Sequence, residues 1–273
     1  MREGESRPRK GRIDQGGPTT RAPRSGDRAK PGDRAKPGDR ANDRPRSNDL
    51  PIPEHITGAE LDVTVTAELR TLPEAIREKV ARLLVASAET IDEDPALALK
   101  FAQAAKSSAA RVAVVREAVG LAAYAAGEYS LALNELRTVR RLTGSDEHIA
   151  TMADAERGLG RPDKALELLS GVAEGSLSEA ARIEVRLVAA GARNDLGQRE
   201  AALMMLQVPA LTSRYWDEPL VRLRYAYADQ LAVLGRQEEA LTWFDRIIGN
   251  DPEQFTDAEE RWAQLSAATP GSS

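Results

Sequence analysis

The chain reads as an all-α protein, a solenoid of stacked helix pairs, on three observations. A small residue is followed four positions later by a large apolar one at Ala132 with Leu136, Ala165 with Leu169, Ala202 with Leu206 and Ala240 with Phe244. Each pair begins five residues after a glycine suited to ending a helix, at Gly127, Gly160, Gly197 and Gly235. Successive pairs are 33, 37 and 38 residues apart, a period that marks helix pairs able to bury their apolar faces only by stacking on neighbours.

Composition divides the 273 residues in two. Residues 1–49 hold 14 Lys/Arg against 8 Asp/Glu, whereas the remainder holds 24 against 35, so the net charge of −5 conceals a basic stretch on an acidic body. The basic stretch repeats Gly26-Asp27-Arg28-Ala29 at Gly32 and Gly38, joined by Lys30-Pro31 and Lys36-Pro37. With almost no aliphatic side chains it cannot offset its chain entropy by burial, and residues 1–49 are expected to be disordered. The absence of cysteine excludes a disulfide framework and a thiolate metal site. No stretch approaches the roughly 20 apolar residues of a membrane span, and no apolar leader follows the N-terminus, so a soluble cytoplasmic protein is expected.

The elements follow in order. Residues 50–70 read as a linker with a short helix, since Leu61, Val63 and Val65 alternate like a strand but Ala67-Glu68-Leu69 favours helix. Repeats are expected over 71–255. Thr71 with Glu74 forms a capping box around Pro73, followed by Val80, Leu83, Leu84, Ala88 and Ile91 at helical spacing. Asp94-Pro95 caps a second helix that ends near Lys106. Beyond it, the four glycines hinge successive pairs, Pro162 opens a helix and Pro209 closes one. Ser176 with Glu179 and Thr256 with Glu259 read as further capping boxes; the last opens a capping helix over 256–267 carrying Trp262 and Leu265. An insertion, Leu211 to Glu218, lengthens one repeat and carries Tyr215 and Trp216, either a plug over neighbouring helices or an exposed anchor.

Chemistry-bearing groups do not converge. His55 and His148 share no ligand spacing, and neither HExxH nor a Gly-x4-Gly-Lys loop occurs. Gly158-Leu-Gly160 is a helix stop, with no strand before it. Glu238-Glu239 and Glu259-Glu260 fall in first helical turns, where negative charge complements the macrodipole. No catalytic, cofactor-binding or metal-binding residue is expected, and the chain is read as a non-enzyme.

The set Val119-Gly120, Gly127, Tyr129, Ala132 and Leu136, and the set Tyr227-Ala228, Leu231, Gly235, Ala240, Phe244 and Pro252, resemble the tetratricopeptide repeat family. That family places an aromatic, Leu-Gly and Tyr on the first helix, then Ala, an aromatic and Pro on the second. A degenerate repeat fits Val85-Ala86 and Ala98, 34 residues before Ala132. Where the family prefers an aromatic, this chain has Arg116, Arg186 and Arg224, with Ile149 the one apolar residue. The resemblance covers about residues 73 to 255 and implies a right-handed superhelix of about five helix pairs plus a capping helix. In layout the chain is also similar to tetratricopeptide proteins of actinobacteria, a likeness that implies no reaction.

The resemblance further implies that a peptide or helix lies in a concave groove along the first helices. Counting back from the turn glycines places Glu117, Leu121, Tyr124, Asp154, Arg157, Leu187, Asn194, Tyr225 and Asp229 there, with Glu147 and Glu184 at the edge. The Lys, Asn and Arg with which family members grip a terminal carboxylate are missing from the matching positions, so such a clamp is not expected. Acids interleaved with apolar residues suggest a basic or amphipathic segment as partner, and the chain's own tail is one such segment. The expected role is a non-catalytic protein-interaction adaptor. The alternative is association with RNA or another polyanion through the tail, against which stand Asp27, Asp33 and Asp39 and the lack of stacking aromatics.

Overall fold

The protein is described by a computed structural model covering residues 50–268; the basic stretch 1–49 and its expected disorder lie outside the described residues. Within them the chain forms α-helices and no strand: α1 (Val63–Leu69), α2 (Glu74–Thr90), α3 (Pro95–Ala109), α4 (Ala113–Ala125), α5 (Tyr129–Thr143), α6 (Ile149–Gly158), α7 (Pro162–Ser170), α8 (Glu179–Asp195), α9 (Arg199–Leu206), α10 (Glu218–Val233), α11 (Gln237–Ile248) and α12 (Ala258–Ala268). Short 3-10 turns at Glu174–Ser176 and Pro209–Thr212 interrupt the connections.

The four turn glycines produce four copies of one turn. Gly127, Gly160, Gly197 and Gly235 have φ between +71° and +75°, which a side chain would strain. At each, the next residue's amide reaches back five positions: Glu128 to Ala123 at 2.8 Å, Arg161 to Glu156 at 2.9 Å, Gln198 to Arg193 at 2.8 Å and Arg236 to Leu231 at 2.9 Å. This is the Schellman arrangement, which satisfies carbonyls orphaned by the helix end. The resulting hairpins are α4/α5, α6/α7, α8/α9 and α10/α11, and α2/α3 forms a fifth pair. That pair turns without a left-handed glycine, through Asp94, whose carboxylate accepts the Leu97 amide at 2.9 Å ahead of Pro95.

Packing explains the alanines. Ala132, Ala165, Ala202 and Ala240 are all 0 % exposed, and their partners Leu136, Leu169, Leu206 and Phe244 are buried one turn later. The first helices α2, α4, α6, α8 and α10 also touch in chain order. Four apolar blocks result, and they overlap along the chain. From α3, Phe101 and Ala105 enter the first block and Ala98 and Ala102 the next; from α8, Ala181 and Val188 face one block and Ile183 and Ala190 the following one. The body is a helical repeat in which α3, α4, α5 and α8 each serve two adjoining blocks. Ala132→Leu should overpack its crossing and lower stability by about 1–3 kcal/mol, read by thermal unfolding. An unchanged midpoint would show that the crossing has room.

Several sequence expectations shift in register. α2 begins at Glu74 with Pro73 as its cap residue, and the Thr71 hydroxyl is drawn to the Glu68 carbonyl at the end of α1, so the Thr71–Glu74 box does not form. α8 is capped by Ser178, whose hydroxyl accepts the Ala181 amide at 3.1 Å, while Ser176 closes a 3-10 turn on Ala173. Thr256 binds the Asp251 carboxylate through both amide and hydroxyl instead of capping α12. In each case a neighbouring acceptor or a preceding turn outcompetes the local box. Ser87, not Ala88, faces the core, its hydroxyl satisfied by the Ala98 carbonyl at 3.0 Å. α3 runs to Ala109, beyond Lys106.

The ends also differ from expectation. The 50–62 segment does not merely link: Ile56 is 2 % exposed, and its carbonyl accepts Arg82 Nε at 2.8 Å. Gly58, at φ +89°, lets this segment approach α2, since a Cβ there would stand 2.9 Å from that of Ala81. The Glu60 carboxylate accepts the Thr57 and Gly58 amides, which holds its pKa down at about 2. At the other end α12 packs on α11 through Ala258 and Leu265, but Trp262 remains 37 % exposed.

Candidate functional site

The residues picked from turn spacing lie on α4, α6, α8 and α10, and most of them form a polar ladder that ties each first helix to the next. The Tyr124 hydroxyl of α4 donates to Asp154 of α6. Asp154 also accepts Arg157 Nη1 at 2.5 Å, and Arg157 forks onto Asp195 of α8 at 2.7 and 3.3 Å. The guanidinium lies flat on the α8 backbone at Gly191, where a Cβ would come within 2.5 Å of it. Asn194 then donates to Gln230 of α10 at 2.6 Å, and Gln230 to the Arg199 carbonyl at 2.9 Å. Arg261 of α12 donates to Asp229 at 2.8 Å, and Tyr225 stands beside Asp257 with its ring edge-on to Phe244 at 5.5 Å.

The remaining acids are matched as well. Glu117 lies 3.2 Å from His148, Glu184 accepts Arg222 at 2.6 Å, and Glu147 accepts the Ser178 hydroxyl at 2.8 Å. His55 meets Glu89 at 3.1 Å, far along the chain from His148. The acids expected along this groove thus already have partners within the chain. Arginine, tyrosine, histidine and serine side chains take up these carboxylates, most of them from the adjoining repeat, because side chains one repeat apart face each other across the seam. Leu121 and Leu187 remain half-buried on this face, Leu187 against the C-terminal apolar block.

Electrostatics agree with this geometry. Burial, reinforced by the hydrogen bond to Asp154, pushes the Tyr124 hydroxyl above its ordinary pKa, and burial with Asp257 does the same for Tyr225. Burial works against the Arg157 charge, but Asp195 and Asp154 outweigh it and keep the guanidinium more firmly protonated. Burial raises the Glu184 pKa against the opposing pull of Arg222. A carboxyl whose pKa is higher folded than unfolded lends stability below its unfolded value and loses it as pH rises through the folded one. Glu184→Gln should thus raise the unfolding midpoint at pH 7 and leave it unchanged below about pH 4. A lower midpoint at pH 7 would mean that the Arg222 pair dominates.

Two arginines at the aromatic position have roles that residue type concealed. Arg224 is 1 % exposed and its fork donates to the carbonyls of Leu211 at 3.2 Å, Ser213 at 2.7 Å and Tyr215 at 2.8 Å, while its guanidinium stacks 3.9 Å over Trp216. Arg116 likewise takes the Ala110 carbonyl at 2.6 Å and Glu135 at 2.7 Å. Each fastens the loop before its own helix. The insertion thereby divides: Leu211 and Trp216 plug the core, and Tyr215 is 59 % exposed.

A second concavity was not foreseen. A cavity of about 650 Å³ lies over α8 between α7 and α9, with Leu166, Leu169, Ile183, Ala189, Met205 and Val208 in its apolar wall. No three His, Asp or Glu side chains among the described residues gather as a metal site. No helix among them is long and apolar enough to cross a membrane. Compared with protein-family models and with curated proteins, the chain gives no match.

Proposed function

We propose that the chain is a non-catalytic protein-interaction scaffold, a divergent tetratricopeptide-like solenoid that receives a peptide or helix along the face of α4, α6, α8 and α10. The observation carrying this reading is the ladder on that face. Tyr124–Asp154–Arg157–Asp195, then Asn194–Gln230, then Asp229–Arg261 hold successive helices in fixed register over most of the repeat. A surface ordered before the partner arrives loses less entropy on binding. With the acids paired, affinity would come from half-buried Leu121, Leu187 and Tyr225 and from ladder groups sharing their bonds, which suits an amphipathic segment over a merely basic one.

The reading is tested by photo-crosslinking in cells from positions 121 and 187, with position 142, an exposed leucine on α5, as control. A discrete set of protein adducts at the first two positions and none at the third is expected. Adducts to RNA alone, together with salt-sensitive retention of RNA by the full chain, would replace the scaffold with the polyanion reading.

A further inference from the structure

The cavity over α8 faces away from the ladder. At about 100° per residue, Arg182, Arg186, Ala189 and Arg193 fall on one stripe of α8, opposite the stripe that carries Glu184, Leu187, Gly191 and Asn194. It opens between α7 and α9, which have 9 and 8 residues where α5 has 15, so the second-helix layer leaves α8 uncovered. Its wall is apolar, and two of its arginines meet no carboxylate among the described residues. Arg116, Arg137, Arg157 and Arg222 each meet a carboxylate. Arg182 instead donates to the Leu177 carbonyl at 3.2 Å and Arg193 to the Gln198 amide oxygen at 2.5 Å, neutral acceptors that leave both positive charges uncompensated. Arg193 Nε is buried without a hydrogen-bond partner. Among the described lining residues the carboxylate is Glu179, in the first turn of α8.

We infer that the groove between α7 and α9 is a docking site for an acidic amphipathic helix of a partner protein, whose apolar stripe seats on Leu169, Ile183 and Met205 and whose carboxylates meet Arg182 and Arg193. Eleven residues separate the two arginines, a rise of about 16 Å, or three helical turns. A helix is about 10 Å across, and a groove open to solvent between α7 and α9 takes one face of it and leaves the other in water. The incoming helix completes the layer that short α7 and α9 leave open. The basic stretch 1–49 has the wrong sign for this site.

This inference rests on the scaffold reading but uses another surface, so the two can fail separately. The probe is a fluorescein-labelled 14-residue synthetic peptide with leucines at helical spacing and glutamates flanking them; its control replaces every glutamate by lysine. Anisotropy against the full chain should show saturable binding of the acidic peptide only, weakened at least tenfold by Arg182→Glu, an exposed position, and abolished by the groove-filling Ala189→Trp. Circular dichroism verifies that both variants fold, and Arg193→Gln supplies a second charge variant. Equal binding of the two peptides, indifference to Arg182→Glu, or saturable binding of dodecanoate without the peptide would each overturn the assignment. Failure of the unmodified chain to bind the acidic peptide, with crosslinking from position 187 intact, would reject the groove and leave the scaffold standing.

Discussion

Arg224→Ala is expected to destabilise the protein by about 3–5 kcal/mol, because each buried acceptor left without its charged donor costs roughly 1–3 kcal/mol. Three carbonyls of the 211–215 loop lose their donor at once, and Trp216 loses the guanidinium stacked on it. Burial, with Arg246 adding to it, lowers the Arg224 pKa, and the loop carbonyls stand in for the water that the guanidinium has given up. Arg224→Lys should restore less than half of the loss, because a point charge cannot reach three acceptors as a planar fork does. Denaturant unfolding gives the free energy, and amide exchange across 211–216 shows whether the loop is what lets go. A loss under about 1 kcal/mol would mean that water serves these carbonyls equally well.

The second large effect is expected at Glu135. This carboxylate, 5 % exposed on α5, accepts Lys106 of α3 at 2.5 Å and Arg116 of α4 at 2.7 Å, joining three helices at one point. Glu135→Ala strands two cations at the seam and should lower stability by about 3 kcal/mol. Removing the whole cluster is a different matter. Glu135→Leu combined with Lys106→Met and Arg116→Met should recover most of that loss, since apolar contacts replace charges whose desolvation roughly cancels their attraction. If the triple variant were as unstable as Glu135→Ala, the Arg116 bond to the Ala110 carbonyl would be the contact that matters.

What could be read from the chain divides by the range of the physics involved. The turn glycines and the alanine crossings were legible because a positive φ and a four-residue helical spacing are local properties, and all eight crossing residues are buried. The capping boxes at Thr71, Ser176 and Thr256 misled because a Ser/Thr with Glu three residues on satisfies the motif in more than one register, and Glu68, the 3-10 turn and Asp251 decided among them. Arg224 gave no signal, as its partners are main-chain carbonyls that any sequence would carry. The ladder did leave one. Arg157 with Asp195, Asn194 with Gln230 and Glu184 with Arg222 are 38, 36 and 38 residues apart, within two residues of the repeat length, so complementary polar residues near that separation were available as a clue. The α7–α9 groove follows from two helices being short, a matter of boundaries that hydrophobic periodicity locates poorly.

The overlapping apolar blocks have a mechanical consequence. Since α3, α4, α5 and α8 divide their buried side chains between adjoining blocks, tension applied along the repeat has no single central bolt to shear. The molecule should yield from its outer hairpins inward, paying out slack in lengths of roughly 33 to 38 residues and rewinding by the same steps when the load is released, in the manner of a soft spring.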